Sequence, residues 1–355
     1  MLFQVTAMKY DILLLSLFFL ISCKGGKTSV SGTDPVPSWE VSFRKNSHGQ
    51  PLRLSEVFDT VYSIPLQGDS LPVGRVKGLV FQHERFYLWH SNTLSVYDSQ
   101  GRFVSRIGRV GRAADEYYML GGFDVNPLNG EISVYDLSSR KIKRYAPNGK
   151  WLTSISIPDI IRDFAVLDNG DYIFYTPDFM KGNRRGLWQT DSSAVFKRQW
   201  VEIRDDFLYG GLYPKYLQRI DSKTVGLMGG EDKDEIYHIS SDTVRTVWHL
   251  DVDIKIPKSL QSRPIIHFEN YPGKIYTKNN YLETKDLVFL TVSDLKKPQL
   301  LFFHKSDGVL WTVDDEKDLI ADMPLTTLAY ACEDAMMGVM ENQEGSLSIV
   351  VMKTK

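Results

Sequence analysis

Residues 92–107 read NTLSVYDSQGRFVSRI, and residues 140–155 read RKIKRYAPNGKWLTSI. The two stretches align without a gap: in each, a strand-like run ends at an aromatic residue (Tyr97 and Tyr145), a turn that contains glycine follows, and a second strand-like run begins. Residues in these turns tolerate a positive φ or hydrogen-bond their own backbone, as tight hairpins require. One hairpin written twice predicts a fold built from repeated antiparallel units.

The same hairpin recurs three more times along the chain, at residues 186–200, 235–250 and 300–313. A second type of hairpin, a strand, a turn of Gly, Asn, Asp or Ser and another strand, precedes each copy of the first. These preceding hairpins occupy residues 78–91, 122–136, 164–176, 217–230 and 281–293. Two hairpins, and thus four strands, in a unit of about 45–50 residues are typical of a β-propeller blade.

A sixth unit begins at residue 328 and reaches SLSIVVMK at residues 346–353, where the chain runs out before a fourth strand. An unassigned strand, FDTVYSIPLQ, lies at residues 58–67. If this N-terminal strand completes the last blade, no sheet edge is left unpaired at the closure. We therefore predict an all-β domain over residues 39–355, a six-bladed β-propeller of four-stranded antiparallel blades closed by an N-terminal strand.

The composition agrees with a large strand-rich domain. Of the 355 residues, 43% are hydrophobic and 12% aromatic, and large aromatic side chains pack well on a pleated sheet. The formal net charge is only −2, so electrostatics does not favour nucleic acid, and we predict no nucleic-acid partner.

Residues 1–22 have the features of a lipoprotein signal peptide. Its apolar run, Ile12 to Ile21, is too short as a helix to cross a hydrocarbon core of about 30 Å. The run ends in Leu-Ile-Ser-Cys, which resembles the bacterial lipobox, and that resemblance makes Cys23 the lipidated N-terminus of the mature chain. The alternative is an ordinary secretory signal with an incidental cysteine. Residues 23–38, rich in Gly, Ser, Thr and Lys, are predicted to be a flexible tether.

Residues 106–155, RIGRVGRAADEYYMLGGFDVNPLNGEISVYDLSSRKIKRYAPNGKWLTSI, resemble the NHL-like six-bladed β-propellers found on lipoproteins of Gram-negative gut anaerobes. The matching positions are Gly108, Gly111, Glu116, Tyr117, Asp124, Tyr135 and Asp136. The chain departs from the pattern at Ala113-Ala114-Asp115, where that family more often has a Gly-Pro-Gly turn. The resemblance covers about residues 80–160 and implies a fold and an envelope compartment, but no established reaction.

Motifs that carry chemistry are missing from the sequence. It has no Gly-x-Ser-x-Gly, His-Glu-x-x-His or Cys-x-x-Cys pattern and no phosphate-binding glycine loop. The acidic stretch EDKDEIY at residues 231–237 offers oxygen ligands for Ca²⁺ but lacks the spacing and the glycine of a calcium loop. We therefore predict no metal site and no cofactor, and Ca²⁺ binding has no supporting ligand set.

The strongest candidate for a binding site is the loop GRVGRAADEYYMLGG at residues 108–122, which connects the first two blades. Such loops carry function on a rigid scaffold, and Arg109, Arg112, Glu116 and Tyr117 are the candidate binding residues. Guanidinium and phenol groups bind carboxylate, phosphate or sugar hydroxyls. The alternative is that the Arg and Glu side chains pair with each other and fasten blade 1 to blade 2.

Three functions remain open at this point. The first is a lipid-anchored envelope propeller that binds a glycan, a peptide or a partner protein. The second is a metal-dependent hydrolase or lactonase with its site in the central channel, and the third is a structural subunit of an envelope complex. The sequence KGGK after Cys23 lacks the acidic cluster associated with surface export, so we predict an outer-membrane lipoprotein that faces the periplasm rather than the cell surface.

Overall fold

The structure of the chain is a computed structural model. It describes residues 39–43, 50–51, 54–69, 76–176, 184–202, 215–229, 235–252, 277–293, 298–313, 328–341 and 345–355. The predicted signal peptide (1–22), the lipidation site Cys23, the tether (23–38) and the first four residues of the acidic stretch 231–237 lie outside these ranges.

The first described elements are three strands and a short helix that lie outside the repeated units. In chain order they are β1 (Trp39–Phe43), β2 (Gln50–Pro51), α1 (Leu54–Val57) and β3 (Phe58–Pro65).

The next twelve strands form three blades, each a four-stranded antiparallel meander. Blade 1 consists of β4 (Val76–Gln82), β5 (Arg85–His90), β6 (Thr93–Asp98) and β7 (Phe103–Arg106). Blade 2 consists of β8 (Leu120–Val125), β9 (Ile132–Asp136), β10 (Lys141–Tyr145) and β11 (Trp151–Ser156). Blade 3 consists of β12 (Asp163–Val166), β13 (Tyr172–Thr176), β14 (Gly186–Thr190) and β15 (Phe196–Val201).

The remaining strands form blades 4, 5 and 6. Blade 4 consists of β16 (Leu217–Arg219), β17 (Val225–Met228), β18 (Glu235–Ile239) and β19 (Val244–Val252). Blade 5 consists of β20 (Thr277–Glu283), β21 (Leu287–Ser293), β22 (Pro298–His304) and β23 (Leu310–Val313). Blade 6 takes β24 (Leu328–Cys332), β25 (Ala335–Glu341) and β26 (Leu347–Thr354) from the end of the chain.

The blades form a closed ring, as predicted. Their first strands contact one another in order around the centre, from β4 to β8, β12, β16, β20 and β24 and back to β4. The ring is closed by β3, which pairs antiparallel with β26 and becomes the fourth strand of blade 6, with Ile64 opposite Ile349. The prediction of a six-bladed propeller closed by an N-terminal strand is therefore confirmed.

The N-terminal segment does more than close the ring. Strand β1 pairs in parallel with β19, the last strand of blade 4, and β2 pairs in parallel with β23, the last strand of blade 5. With β3 on blade 6, the three N-terminal strands lie on the outer edges of three consecutive blades. Only the third of these strands was predicted from the sequence.

Buried polar side chains tie neighbouring blades together. The carboxylate of Asp124 in blade 2 accepts a hydrogen bond from the backbone N–H of Val166 in blade 3, with a distance of 2.8 Å. Asp163 in blade 3 accepts one from the backbone N–H of Leu217 in blade 4, also at 2.8 Å. Burial raises the pKa of Asp163. Such paired polar groups fix the rotation of one blade against the next without leaving buried donors unsatisfied.

Candidate functional site

The connection between blades 1 and 2 folds back on itself. The backbone N–H of Tyr117 donates to the carbonyl of Arg109 at 3.1 Å, and the N–H of Gly111 donates to the carbonyl of Tyr117 at 3.0 Å. The carboxylate of Glu116 accepts a hydrogen bond from Nε of Arg109 at 2.5 Å and another from the backbone N–H of Ala113 at 2.8 Å. Arg109 and Glu116 are thus partners of each other.

Glu116 is part of the framework of this loop. The backbone N–H of Ala113, followed by the guanidinium of Arg109, holds the pKa of Glu116 below its ordinary value. Gly111 lies directly against the Glu116 carboxylate, and a Cβ at this position would overlap Oε2. A side chain at position 111 would therefore displace the Glu116 carboxylate from its position against the loop.

The two tyrosines of the loop point in opposite directions. Tyr117 is 1% exposed and packs in the apolar cluster shared by blades 1, 2 and 6, and burial raises its pKa to about 12. Tyr118 is 49% exposed, and Cζ of Arg112 lies 5.2 Å from the centre of its ring. The expectation that Tyr117 contacts a ligand is corrected, because its side chain is buried in the core and it is Tyr118 that faces out.

A cavity of about 710 Å³ lies between this loop and the outer half of blade 2. Its walls carry cationic, acidic, aromatic and hydroxyl side chains in addition to the backbone of the loop. The lining residues are Gly111, Arg112, Ala113, Ala114, Glu116, Tyr118, Asp136, Ser138, Ser139, Lys141, Lys143, Trp151, Thr153 and Ser154. Arg112 and Glu116 are the two predicted binding residues that the structure places in this wall.

Lys143 is the most deeply placed cation of the cavity wall. It lies on β10 opposite Ser154 of β11 and is 5% exposed. Its Nζ donates to the carbonyl of Ala114 at 2.9 Å and reaches that of Ala113 at 3.5 Å. Burial lowers the pKa of Lys143. Ala113 and Ala114, where the sequence differs from the family pattern, are therefore the residues whose carbonyl groups accept hydrogen bonds from the buried Lys143 ammonium.

The carboxylate of Asp136 is already occupied within the chain. Its Oδ1 accepts hydrogen bonds from the backbone N–H groups of Met119 and Ser138, at 3.1 and 3.2 Å, and its Oδ2 accepts one from Oγ of Ser139 at 2.7 Å. Asp136 therefore fixes the turn that follows β9. Both acidic side chains of the cavity wall thus accept hydrogen bonds from within the chain. The cationic side chains of the wall form no ion pair with any described residue.

The wall that blade 2 contributes to the cavity was not predicted from the sequence. Lys141, Lys143 and Trp151 belong to the second hairpin copy, and a signal for them was present in the alignment of the copies. Lys143 stands where the first copy has Ser95, and Lys141 stands where it has Thr93. Charged residues at positions where another repeat copy has small polar residues indicate that the two blades differ in surface chemistry.

The centre of the ring contains an ion pair that spans two blades. Nη2 of Arg219, on the first strand of blade 4, lies 2.7 Å from Oδ2 of Asp124 on the first strand of blade 2. The same nitrogen donates to the carbonyl of Val166 at 2.7 Å. Within the described ranges, no three His, Cys, Asp or Glu side chains converge as a metal site would require.

No helix in the described part of the chain is long and apolar enough to cross a membrane.

Comparison with known proteins gives one family match and several structures of similar fold. The family model described as a domain of unknown function, DUF4934, matches residues 40–346. A protein of Bacteroides fragilis described as exported has a TM-score of 0.71 at 14% identity, with 90% of this chain and 99% of that chain covered. A DUF4221 member from Bacteroides vulgatus has a TM-score of 0.51 at 10% identity, with 84% and 97% covered. At these identities the likeness establishes the fold alone, and no curated protein sequence matches.

Proposed function

We propose that this chain, which belongs to the DUF4934 family of domains of unknown function, is a binding module whose ligand is held in the cavity beside the loop between blades 1 and 2. The observation that carries the proposal is a cavity of about 710 Å³ in which several side-chain donors make no hydrogen bond or ion pair with any described residue. Arg112 contacts the ring of Tyr118, and neither Lys141 nor the indole of Trp151 has a hydrogen-bond or ion-pair partner among the described residues.

The chemistry of the wall favours binding over catalysis. A general acid or base needs a carboxyl or imidazole within hydrogen-bond reach of the substrate. The two carboxylates of the wall, Glu116 and Asp136, instead accept hydrogen bonds from their own loops. The metal-dependent hydrolase in the central channel is not favoured either, because the Arg219–Asp124 pair crosses from blade 4 to blade 2 there.

For its location, we propose an outer-membrane lipoprotein attached through a lipid on Cys23 and facing the periplasm. The lipobox-like end of residues 1–22 and the tether-like composition of residues 23–38 support this. A tether of that length lets the propeller stand clear of the membrane surface. The B. fragilis structure with the same fold belongs to a protein described as exported, which is consistent with an envelope location.

A structural subunit of an envelope complex is the second candidate, and the outer edges of blades 1 to 3 favour it. Large apolar side chains are exposed there, including Val104 on β7, Leu152 on β11 and Phe196 on β15, which are 43–45% exposed. An outer strand without a neighbouring strand leaves backbone N–H and C=O groups that a partner protein can pair with, and an exposed apolar side chain adds area for such a partner to bury.

The binding proposal is tested by thermal unfolding of the purified protein against panels of glycans and peptides. A ligand that binds only the native state raises the melting temperature by mass action. At a ligand concentration of 100 Kd, the free energy of unfolding should rise by about 2.7 kcal/mol. We expect Trp151→Ala to abolish the shift and Leu152→Ala to preserve it, since Leu152 is the exposed neighbour of Trp151 that does not line the cavity. A shift unaffected by Trp151→Ala, or no shift with any panel member, contradicts the proposal.

A further inference from the structure

The geometry of this cavity points to a ligand class, and we propose that it binds an anionic carbohydrate, a saccharide that carries carboxylate or sulfate groups. This inference rests on the proposed function and adds the chemistry of the ligand.

The side chains of the cavity wall carry more positive than negative charge. Its cations are Arg112, Lys141 and Lys143, and its acids are Glu116 and Asp136. The Glu116 charge is balanced by Arg109, which does not line the cavity. Asp136 is the one remaining negative charge, so the wall carries an excess of positive charge, and an anionic ligand complements it.

Lys143 provides a fixed anchor for such an anion. Its ammonium group has three donors, and the chain uses two of them on the carbonyls of Ala113 and Ala114. These two bonds hold the nitrogen at the cavity wall, and its position on the strand keeps the side chain buried. An ammonium group held in place loses little side-chain entropy when it binds a carboxylate or sulfate oxygen.

Two aromatic side chains supply flat surfaces beside the cations. Trp151 is 36% exposed and Tyr118 is 49% exposed. Such side chains combine an apolar face with a polar N–H or O–H. A sugar ring matches this combination, because its C–H faces are apolar and its hydroxyl groups lie at the rim.

Hydroxyl groups complete the wall. The side chains of Ser138, Thr153 and Ser154 line the cavity and make no hydrogen bond to any described residue. A hydroxyl both donates and accepts, as the hydroxyls of a sugar do, so the two sets are complementary. An acidic peptide is the competing ligand: it would satisfy the cations but would leave most of these hydroxyls and the exposed Trp151 without a role.

The experiment compares matched ligands that differ only in charge. The purified protein is titrated with oligogalacturonate and its carboxyl-reduced form, with dextran sulfate and dextran, and with an oligoglutamate peptide, all at one salt concentration. We expect each acidic saccharide to bind at least about tenfold more tightly than its neutral counterpart if its anion engages the cations. The carboxylate and sulfate arms distinguish the two sources of negative charge.

Variants assign the effect to the cavity. Lys141→Gln and Arg112→Gln remove exposed charges, so we expect both variants to fold normally and to weaken acidic saccharides by about tenfold. Lys150→Gln, in the turn of the same hairpin but outside the lining, serves as the matched control and leaves binding unchanged.

Failure of the anionic-carbohydrate inference and failure of the proposed binding function give different results. Equal binding of acidic and neutral saccharides, or equal effects of Lys141→Gln and Lys150→Gln, overturns the inference about charge and leaves the binding module standing. Binding of oligoglutamate without any saccharide overturns the carbohydrate class. Failure of every ligand in this set and in the broad panels overturns the proposed function itself.

Discussion

At the scale of single residues, the two hairpin copies contain glycines with similar positive φ angles and different surroundings. Gly101 has φ of +79° and Gly149 has φ of +82°. A Cβ on Gly101 would overlap the carbonyl oxygen of Pro65, at the end of the strand that closes the ring. A Cβ on Gly149 would meet its nearest atom, Cδ1 of Ile107, at 3.5 Å. The first glycine is required by both conformation and packing, the second by conformation alone.

We predict different costs for the same substitution at these positions. Gly149→Ala should lower the free energy of unfolding by about 1 kcal/mol, the cost of a left-handed conformation for an L residue. Gly101→Ala should cost about 3 kcal/mol or more, because relief of the overlap requires a shift of the β3 backbone. Urea unfolding of the two variants measures the difference, and equal losses would show that the contact with Pro65 is not restrictive.

A second residue of interest is Glu283, which joins blades 4 and 5. Its carboxylate lies 2.8 Å from Nε2 of His238 and 2.5 Å from Nζ of Lys305, and it accepts a hydrogen bond from the hydroxyl of Tyr281. Burial alone would raise the pKa of Glu283, but His238 and Lys305 outweigh it, so that the pKa lies below its ordinary value.

Glu283→Gln should destabilise the protein in a pH-dependent manner. At pH 7 the variant leaves Lys305 without its buried partner, a loss of about 3 kcal/mol. A carboxyl group with a lowered pKa contributes stability above its unfolded pKa of about 4.3, and this contribution is lost as the pH falls through the folded pKa. The gap between wild type and variant should therefore shrink below about pH 4.3, as measured by urea unfolding from pH 7 to pH 3. A gap of constant size would refute the role of the charge.

At the scale of elements, the sequence predicts the hairpins well and the outer strands poorly. The five outer hairpins, from β6–β7 to β22–β23, lie at the repeat copies because alternation and turn residues are local signals. Strands β1 and β2 have five and two residues, and neither belongs to a copy of the repeated hairpins. Their strand conformation depends on pairing with β19 and β23, which no local pattern encodes.

Stepwise truncation tests what the three N-terminal strands contribute. A chain that begins at residue 52 lacks β1 and β2 and should still unfold in one transition at a lower temperature, because blades 4 and 5 each keep four strands. A chain that begins at residue 66 also lacks β3, so the unpaired edge of β26 should promote aggregation. Size-exclusion chromatography and thermal scans distinguish the two chains. A soluble, cooperatively unfolding chain without β3 would contradict its role in ring closure.

At the scale of the whole molecule, the loop of the candidate site was predictable and its cavity was not. The Gly-flanked run with Arg112 and Glu116 marks the loop in the sequence. The opposite wall comes from Lys143 and Trp151, and only the meander of blade 2 brings them beside it. The choice between Tyr117 and Tyr118 likewise depends on which side of the loop faces the core. A site shared between a loop and a later hairpin is a property of tertiary structure.

The ion pair at the centre of the ring connects two blades that are not neighbours. Asp124 and Arg219 belong to blades 2 and 4 and are 2% and 7% exposed, so removal of one charge leaves the other buried. Asp124→Ala should therefore cost about 3–5 kcal/mol, and it also removes the acceptor of the Val166 N–H. Arg219→Met should lower the free energy of unfolding by less. The methionine side chain fills part of the same space, and Asp124 still accepts the hydrogen bond from the Val166 N–H.

The double variant completes the cycle. If the pair couples blades 2 and 4, Asp124→Ala and Arg219→Met together should cost less than the sum of the single changes, with a coupling of about 1–3 kcal/mol. Urea unfolding followed by both tryptophan fluorescence and circular dichroism supplies the free energies. It also shows whether the two signals change together, as they do when the ring unfolds as one unit. Additive costs with coincident transitions would mean that contacts between adjacent blades alone hold the ring together.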